Sequence, residues 1–189
     1  MCNKIRVRIK RTGPRRRRRA HETRADVFAA AIELFTKHGY QSTSVERISA
    51  EAGVAKGTFF VHFESKAEVL VEVVRAHARA ATAARTRVRQ EGGSALDGMR
   101  EAMTTLARQA SASRAIARGV LAAALESEAF LTVASQIVER VFIADAREAQ
   151  RAGLVARGNP DALVASLVSE YLGKLLQVVI APTAQRARM

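Results

Sequence analysis

Cysteine is almost missing from this chain. The single residue of that type, Cys2, excludes an internal disulfide and suits a reducing cytoplasm. Tryptophan is absent, and seven Phe and two Tyr are few for an aromatic cage, so a ligand cavity is expected to be aliphatic. Three prolines in 189 residues leave long helices uninterrupted, and no alternation of apolar and polar residues lasts long enough for a strand. No Cys/His cluster at zinc spacing, no GxGxxG and no Walker loop occurs, which removes the common metal, dinucleotide and nucleotide readings. The histidines, His21, His38, His62 and His77, lie early in the chain, and the acids are scattered singly. That is not the convergent set catalysis needs, so no enzyme, metal or cofactor is expected. No apolar run reaches the roughly eighteen residues of a membrane helix, the best being the short stretch 175–181, so no membrane partner is expected.

Acidic residues are also missing from the first nineteen positions. There Lys4, Arg6, Arg8, Lys10, Arg11 and Arg15 to Arg19 supply ten of the chain's 31 basic residues. The remaining 21 face 18 acidic residues, so most of the net charge of +13 belongs to this segment. Such charge density without an apolar run predicts a disordered tail over 1–19 rather than a signal peptide. A basic arm can lie along phosphates or enter a minor groove; a merely solvated extension fits the same composition.

What the chain has in abundance is capped, amphipathic helix. Residues 23–37 carry an apolar stripe at Val27, Phe28, Ala31, Leu34 and Phe35, with Thr23 and Asp26 as a cap and Gly39 past the last turn. Thr43-Ser44-Val45-Glu46 fits a capping box that opens a short helix with Val45, Ile48, Ser49 and Ala52 inward. Gly53 ends it. The stretch GVAKGTFFVHF, residues 53–63, then reads as a sharp turn and a two-turn helix with Phe59 and Phe63 on one face. A helix anchored by aromatics, with a cation free near its start, is what base-edge reading in a major groove requires. Ser65-Lys66-Ala67-Glu68 reads as a second capping box and opens a fourth helix through Val69, Leu70, Val73 and Val74. Three short helices, the last two joined by a tight glycine turn, make a helix-turn-helix.

At Phe28 to Phe35, Gly39 to Phe63 and Glu64 to Leu70 the chain resembles the tetracycline-repressor (TetR) family of bacterial transcription regulators. The resemblance implies that Thr43 and Ser44 touch phosphate, that Lys56 and Gly57 face bases, that Thr58 and His62 bind phosphate and that Lys66 anchors the backbone. Two positions depart from the family pattern. Ala55 stands where a capping Ser is common, so the recognition helix lacks a side-chain cap. Phe60 replaces a frequent Tyr, leaving a thymine-methyl contact or plain packing. The resemblance also implies a dimer, and a ligand among the middle helices that moves the fourth.

Beyond Leu70 the pattern is helical almost throughout, so the fold expected is all-α. It comprises a helix-turn-helix DNA-binding domain at 20–66 and a helical effector-binding and dimerisation domain at 67–189. Further helices are expected at about 95–110, 115–126 and 128–152. Asn159-Pro160-Asp161 then opens the last, with Asn as cap and Pro at the first helical position. That helix is apolar around more than half its circumference, more than a monomer's surface helix needs. A homodimer interface follows from it, with Ile137, Val141, Leu167, Tyr171, Leu175 and Val178 as candidates. For a small-molecule effector the candidates are His77, Met99, Met103, Leu106, Val120, Leu121, Phe130, Phe142 and Tyr171; ordinary core is the default reading of the apolar ones, and structural hydrogen bonds explain His77 and Tyr171 equally well. The function expected is a ligand-responsive dimeric repressor on a palindromic double-stranded DNA operator. A sequence-tolerant architectural protein using its Arg-rich tail is the alternative, and a protein-binding adaptor bundle is a third reading.

Overall fold

A computed structural model describes residues 14–155 and 158–181, with side chains from residue 22 onward. Eight helices follow one another among the described residues, without a strand: α1 Pro14–His38, α2 Val45–Glu51, α3 Lys56–His62, α4 Lys66–Gln90, α5 Ala95–Ala112, α6 Arg114–Glu126, α7 Glu128–Arg151 and α8 Pro160–Ile180. The fold is all-α, a helix-turn-helix followed by a helical bundle.

α1 is longer than its sequence signals suggested. It begins at Pro14, so Arg15 to Arg19 lie on helix rather than in a disordered tail, and Thr23 is an interior position instead of a cap. Proline's fixed φ suits a first helical turn, and nothing between it and Thr23 breaks a helix. The basic residues from Lys4 to Arg11, and Cys2, fall outside the described residues. Val27, Ala31, Leu34 and Phe35 are buried, and Gly39 at φ +85 ends α1 with its N–H on the Phe35 carbonyl. Phe35 meets Tyr40 edge-on at 5.3 Å, Phe59 and Phe63 of the α3 region lie 5.8 Å apart with their rings tilted by 38°, and Arg24 lies over the Phe63 ring.

α4 leaves this module and runs 25 residues into the bundle, where it packs chiefly on α5 and α7. Its buried Val69, Leu70, Val73 and Val74 join Leu106, Val138, Phe142 and Leu175 in one continuous core. Arg85 on α4 donates to the Val141 carbonyl at 3.0 Å and to the buried Asp145 of α7 at 3.4 Å. α6 comes close to the α1–α2 loop at Gly119, where a Cβ would stand 3.1 Å from Tyr40 Cβ and the loop would have to give by a few tenths of an ångström. α8 packs on α5, α6 and α7 through Val164, Val168, Tyr171 and Leu175. Contrary to the sequence expectation, α8 is long and apolar enough by length and composition to cross a membrane, with a mean hydropathy of 1.5.

Candidate nucleic-acid interface and the cavity behind it

The turn before α2 differs by one residue from the capping box expected. Ser44, extended at φ −98 and ψ 160, is the cap, and its hydroxyl accepts the Arg47 N–H at 3.2 Å. Thr43 is 1% exposed and donates its hydroxyl to the Gly39 carbonyl at 2.8 Å. In this conformation its side chain offers nothing to a phosphate, whereas Ser44 is exposed. At α4 only half of the second expected box forms. Ser65 accepts the Glu68 N–H, while the Glu68 carboxylate pairs with Arg75 at 2.8 Å.

α3 stands on Phe59, 0% exposed, and on Phe63 just beyond its end. Its first residue follows Ala55, which gives no side-chain cap. The opposite face presents Lys56, Gly57, Phe60 and Val61 to solvent, with Thr58 and His62 half-buried at its flank. Val61, 77% exposed against 47% for Phe60, was not among the candidates. The signal for it was available, because position 61 lies opposite the Phe59–Phe63 face at 100° per residue. A Cβ at Gly57 would meet nothing within 4 Å, so no packing in the protein demands glycine there.

Lys56 is not free. Its ammonium lies 2.5 Å from Glu46 on α2, both side chains being more than half exposed. The hydrogen bond from Lys56, with help from the Glu46 backbone and the Ser44 side chain, holds the Glu46 carboxyl at about 2. Arg47, a second exposed cation on α2 that was not singled out, lies against His38 at 2.8 Å.

Lys66 does something other than reach outward. Its ammonium donates to the carbonyls of Tyr40 at 2.7 Å and Thr43 at 2.9 Å, and sits 4.2 Å from the Tyr40 ring centre. Burial lowers its pKa. The side chain ties the α1–α2 loop to the start of α4, which displaces the backbone-anchoring role expected of it.

Behind this module lies a cavity of about 260 Å³ walled by Phe28 and Ile32 of α1, Val73, Ala76 and His77 of α4, the α5–α6 junction, α6 and Leu175. Of the expected ligand residues it gathers His77 and Val120; Tyr171 stands behind His77, its hydroxyl 3.1 Å from Nδ1. Phe130 and Tyr171 border a void of only about 10 Å³, and Leu121 lines a separate open cleft between the α1–α2 loop, α6 and α8. Met99, Leu106 and Phe142 are core residues at 7%, 0% and 0% exposure, and the half-buried Met103 borders none of these spaces. Phe28 and Ile32 were missed as lining because α1 looked like part of the DNA-binding module alone, and Gln109 of α5 because a polar residue leaves no mark in an apolar pattern. Of the expected dimer residues, Val141, Tyr171 and Leu175 are buried within the protomer and have no surface for a partner. Ile137, Leu167 and Val178 are half-buried.

Known proteins bear on this geometry. Residues 27–73 match the family model for bacterial regulatory proteins of the tetR family. The transcriptional regulator UidR of Escherichia coli K12 is 28% identical over 145 residues, spanning 72% of this chain and 71% of the relative. TcmR of Streptomyces glaucescens is 39% identical over 84 residues, 44% of this chain and 37% of its own. In fold, the chain is similar to the Thermus thermophilus repressor FadR in complex with lauroyl-CoA, at a TM-score of 0.72 and 19% identity over 83% of this chain and 84% of that one. The relatives are named as transcriptional regulators, which are not enzymes. The module over residues 27–73, with its recognition helix standing on Phe59 and Phe63, is that of the tetR family of bacterial regulatory proteins.

Proposed function

We propose that the chain is a cytoplasmic, ligand-responsive homodimeric repressor that reads a palindromic operator with α3. The carrying observation is the outward face of α3, where Lys56, Gly57, Phe60 and Val61 are exposed above two buried phenylalanines. Lys56 would reach guanine acceptors, and Gly57 would let the helix approach the base edges closely. Ser44, Thr58 and His62 supply phosphate donors on either side. A two-fold dimer sets two such helices in successive major grooves, roughly 34 Å apart.

The dimer face we infer is the outward side of α8, where Ser166, Ser169, Leu176 and Ile180 are exposed and Gly173 leaves open space. A small molecule bound in the C-terminal bundle would act by favouring a spacing that no longer fits the operator. A preference of a few kcal/mol moves most of the population.

The test is fluorescence anisotropy with DNA from upstream of the chain's own gene and a scrambled duplex, at about 0.15 M salt, without residues 1–19 and with full-length protein as control. Tight binding to the first duplex alone, lost in Lys56→Ala, is expected. Equal binding to both would count against a repressor, and equal tight binding only with residues 1–19 present would favour the architectural alternative.

A further inference from the structure

We propose that the cavity between α1 and the bundle binds an uncharged, largely apolar small molecule carrying one hydrogen-bonding oxygen, held by His77 and Gln109, and that this molecule acts on α1 directly through Phe28 and Ile32. The site stands on geometry; its regulatory effect rests on the reading of the chain as a ligand-responsive repressor.

The lining decides the ligand's charge. None of the residues around the cavity is Asp, Glu, Lys or Arg. A charged group seated against this lining would give up part of its hydration without finding a counter-charge, a loss no apolar contact offsets. The polar groups present are neutral. His77 is kept uncharged near pH 7 by burial, which lowers its pKa to about 4. Its Nδ1 is engaged by the Tyr171 hydroxyl, so Nε2 is the ring nitrogen left for a ligand. The Ser113 oxygen accepts the Ile116 N–H at the start of α6 and keeps its O–H, while the Gln109 amide brings both donors and an acceptor and is the second polar partner we assign. At about 260 Å³ the space lies just below the roughly 300–1,000 Å³ of drug-sized sites. A small amphiphile suits it better than a nucleotide-bearing one.

The position decides what such a ligand touches. Phe28 and Ile32 form the α1 wall, while their neighbours Val27, Ala31 and Phe35 are packed into the core of the DNA-binding module. α4 supplies the facing wall through Val73, Ala76 and His77. A molecule between them presses on both helices that set the angle of α3, without needing to travel through the bundle.

Full-length protein titrated calorimetrically with 1-decanol and with decanoate at pH 7.5 tests the site, with operator anisotropy run in parallel. 1-Decanol is expected to bind, and decanoate to bind at least about tenfold more weakly. Ala76→Leu, which fills the cavity, should weaken 1-decanol at least about tenfold; Gln109→Leu, close in volume and a safeguard should the first variant misfold, should weaken it about threefold or more. No heat with 1-decanol, decanoate binding as tightly, or unchanged binding in a folded variant would overturn the site. If 1-decanol binds but leaves a sequence-specific DNA complex intact, the regulatory part fails and the site stands. If the protein shows no sequence-specific DNA binding at all, the repressor reading fails instead.

Discussion

Glu46 and Lys56 show how one pair of side chains bears on recognition. The carboxylate holds the ammonium that would otherwise meet guanine or phosphate, and it presents negative charge beside the DNA path. Glu46→Gln is therefore expected to tighten binding to operator and scrambled duplex alike by a few-fold, and to do nothing in a Lys56→Ala background. Weaker binding in the single variant would mean that Glu46 accepts a hydrogen bond from a base. His77 makes a second prediction. Burial holds its pKa near 4 in the folded chain, against about 6.5 when exposed. Between those values the unfolded chain takes up the proton and the folded one does not, so stability present above pH 6.5 drains away as pH falls towards 4. The loss should be on the order of 3 kcal/mol by urea denaturation, and His77→Gln should lack that component. A wild-type chain with the same pH profile as the variant would contradict it.

Among the elements, the start of α4 is where the DNA-binding module is held to the bundle. Lys66 satisfies two loop carbonyls from that helix, and Arg24 of α1 reaches Glu72, six residues on, at 3.1 Å. Lys66→Met takes the Lys66 donor from the Thr43 carbonyl and leaves the Tyr40 carbonyl with the Thr43 N–H at 3.3 Å; it should cost about 1–3 kcal/mol of stability, with the salt dependence of DNA binding unchanged. Were Lys66 a phosphate ligand, the same variant would keep its melting temperature and lose about one unit of salt slope. α6 contributes to the same junction through Gly119, whose missing side chain lets it approach Tyr40. The loop, α4 and α6 thus meet at one place, through which a shift in the bundle would be felt by α2 and α3.

Taken as a whole molecule, the protomer leaves α8 half-covered. Its inner side is buried against three helices, and its outer side pairs small residues with exposed Leu176 and Ile180. An apolar helix of this length that is not fully buried is where the proposed second subunit would sit. Gly173→Arg separates that idea from simple misfolding. A Cβ there meets nothing within 4 Å, and removing an interior helix glycine favours the helix by roughly 0.5–1 kcal/mol. The variant should remain folded, sediment as a monomer and lose at least about tenfold in operator affinity. A dimer that survives it would place the interface elsewhere.

Much of this was legible in one dimension, because helices are written by local chemistry. The glycine after α1, Ser65 and Asn159 as caps, the aromatic spacing of α3 and the near absence of proline each act within a turn or two of chain, so element order and the recognition helix could be read directly. What failed were statements about where a side chain ends up. Thr43 and Lys66 match the family's register, yet their polar atoms turn inward to loop carbonyls. Val141, Tyr171 and Leu175 sit on an apolar face as interface residues should, but that face is the protomer's own core. Phe28 and Ile32 look like ordinary core of α1 until the bundle is placed beside them and leaves a cavity. Periodicity determines which residues share a face; only packing between distant segments decides what that face meets, because burial depends on neighbours the local pattern does not contain.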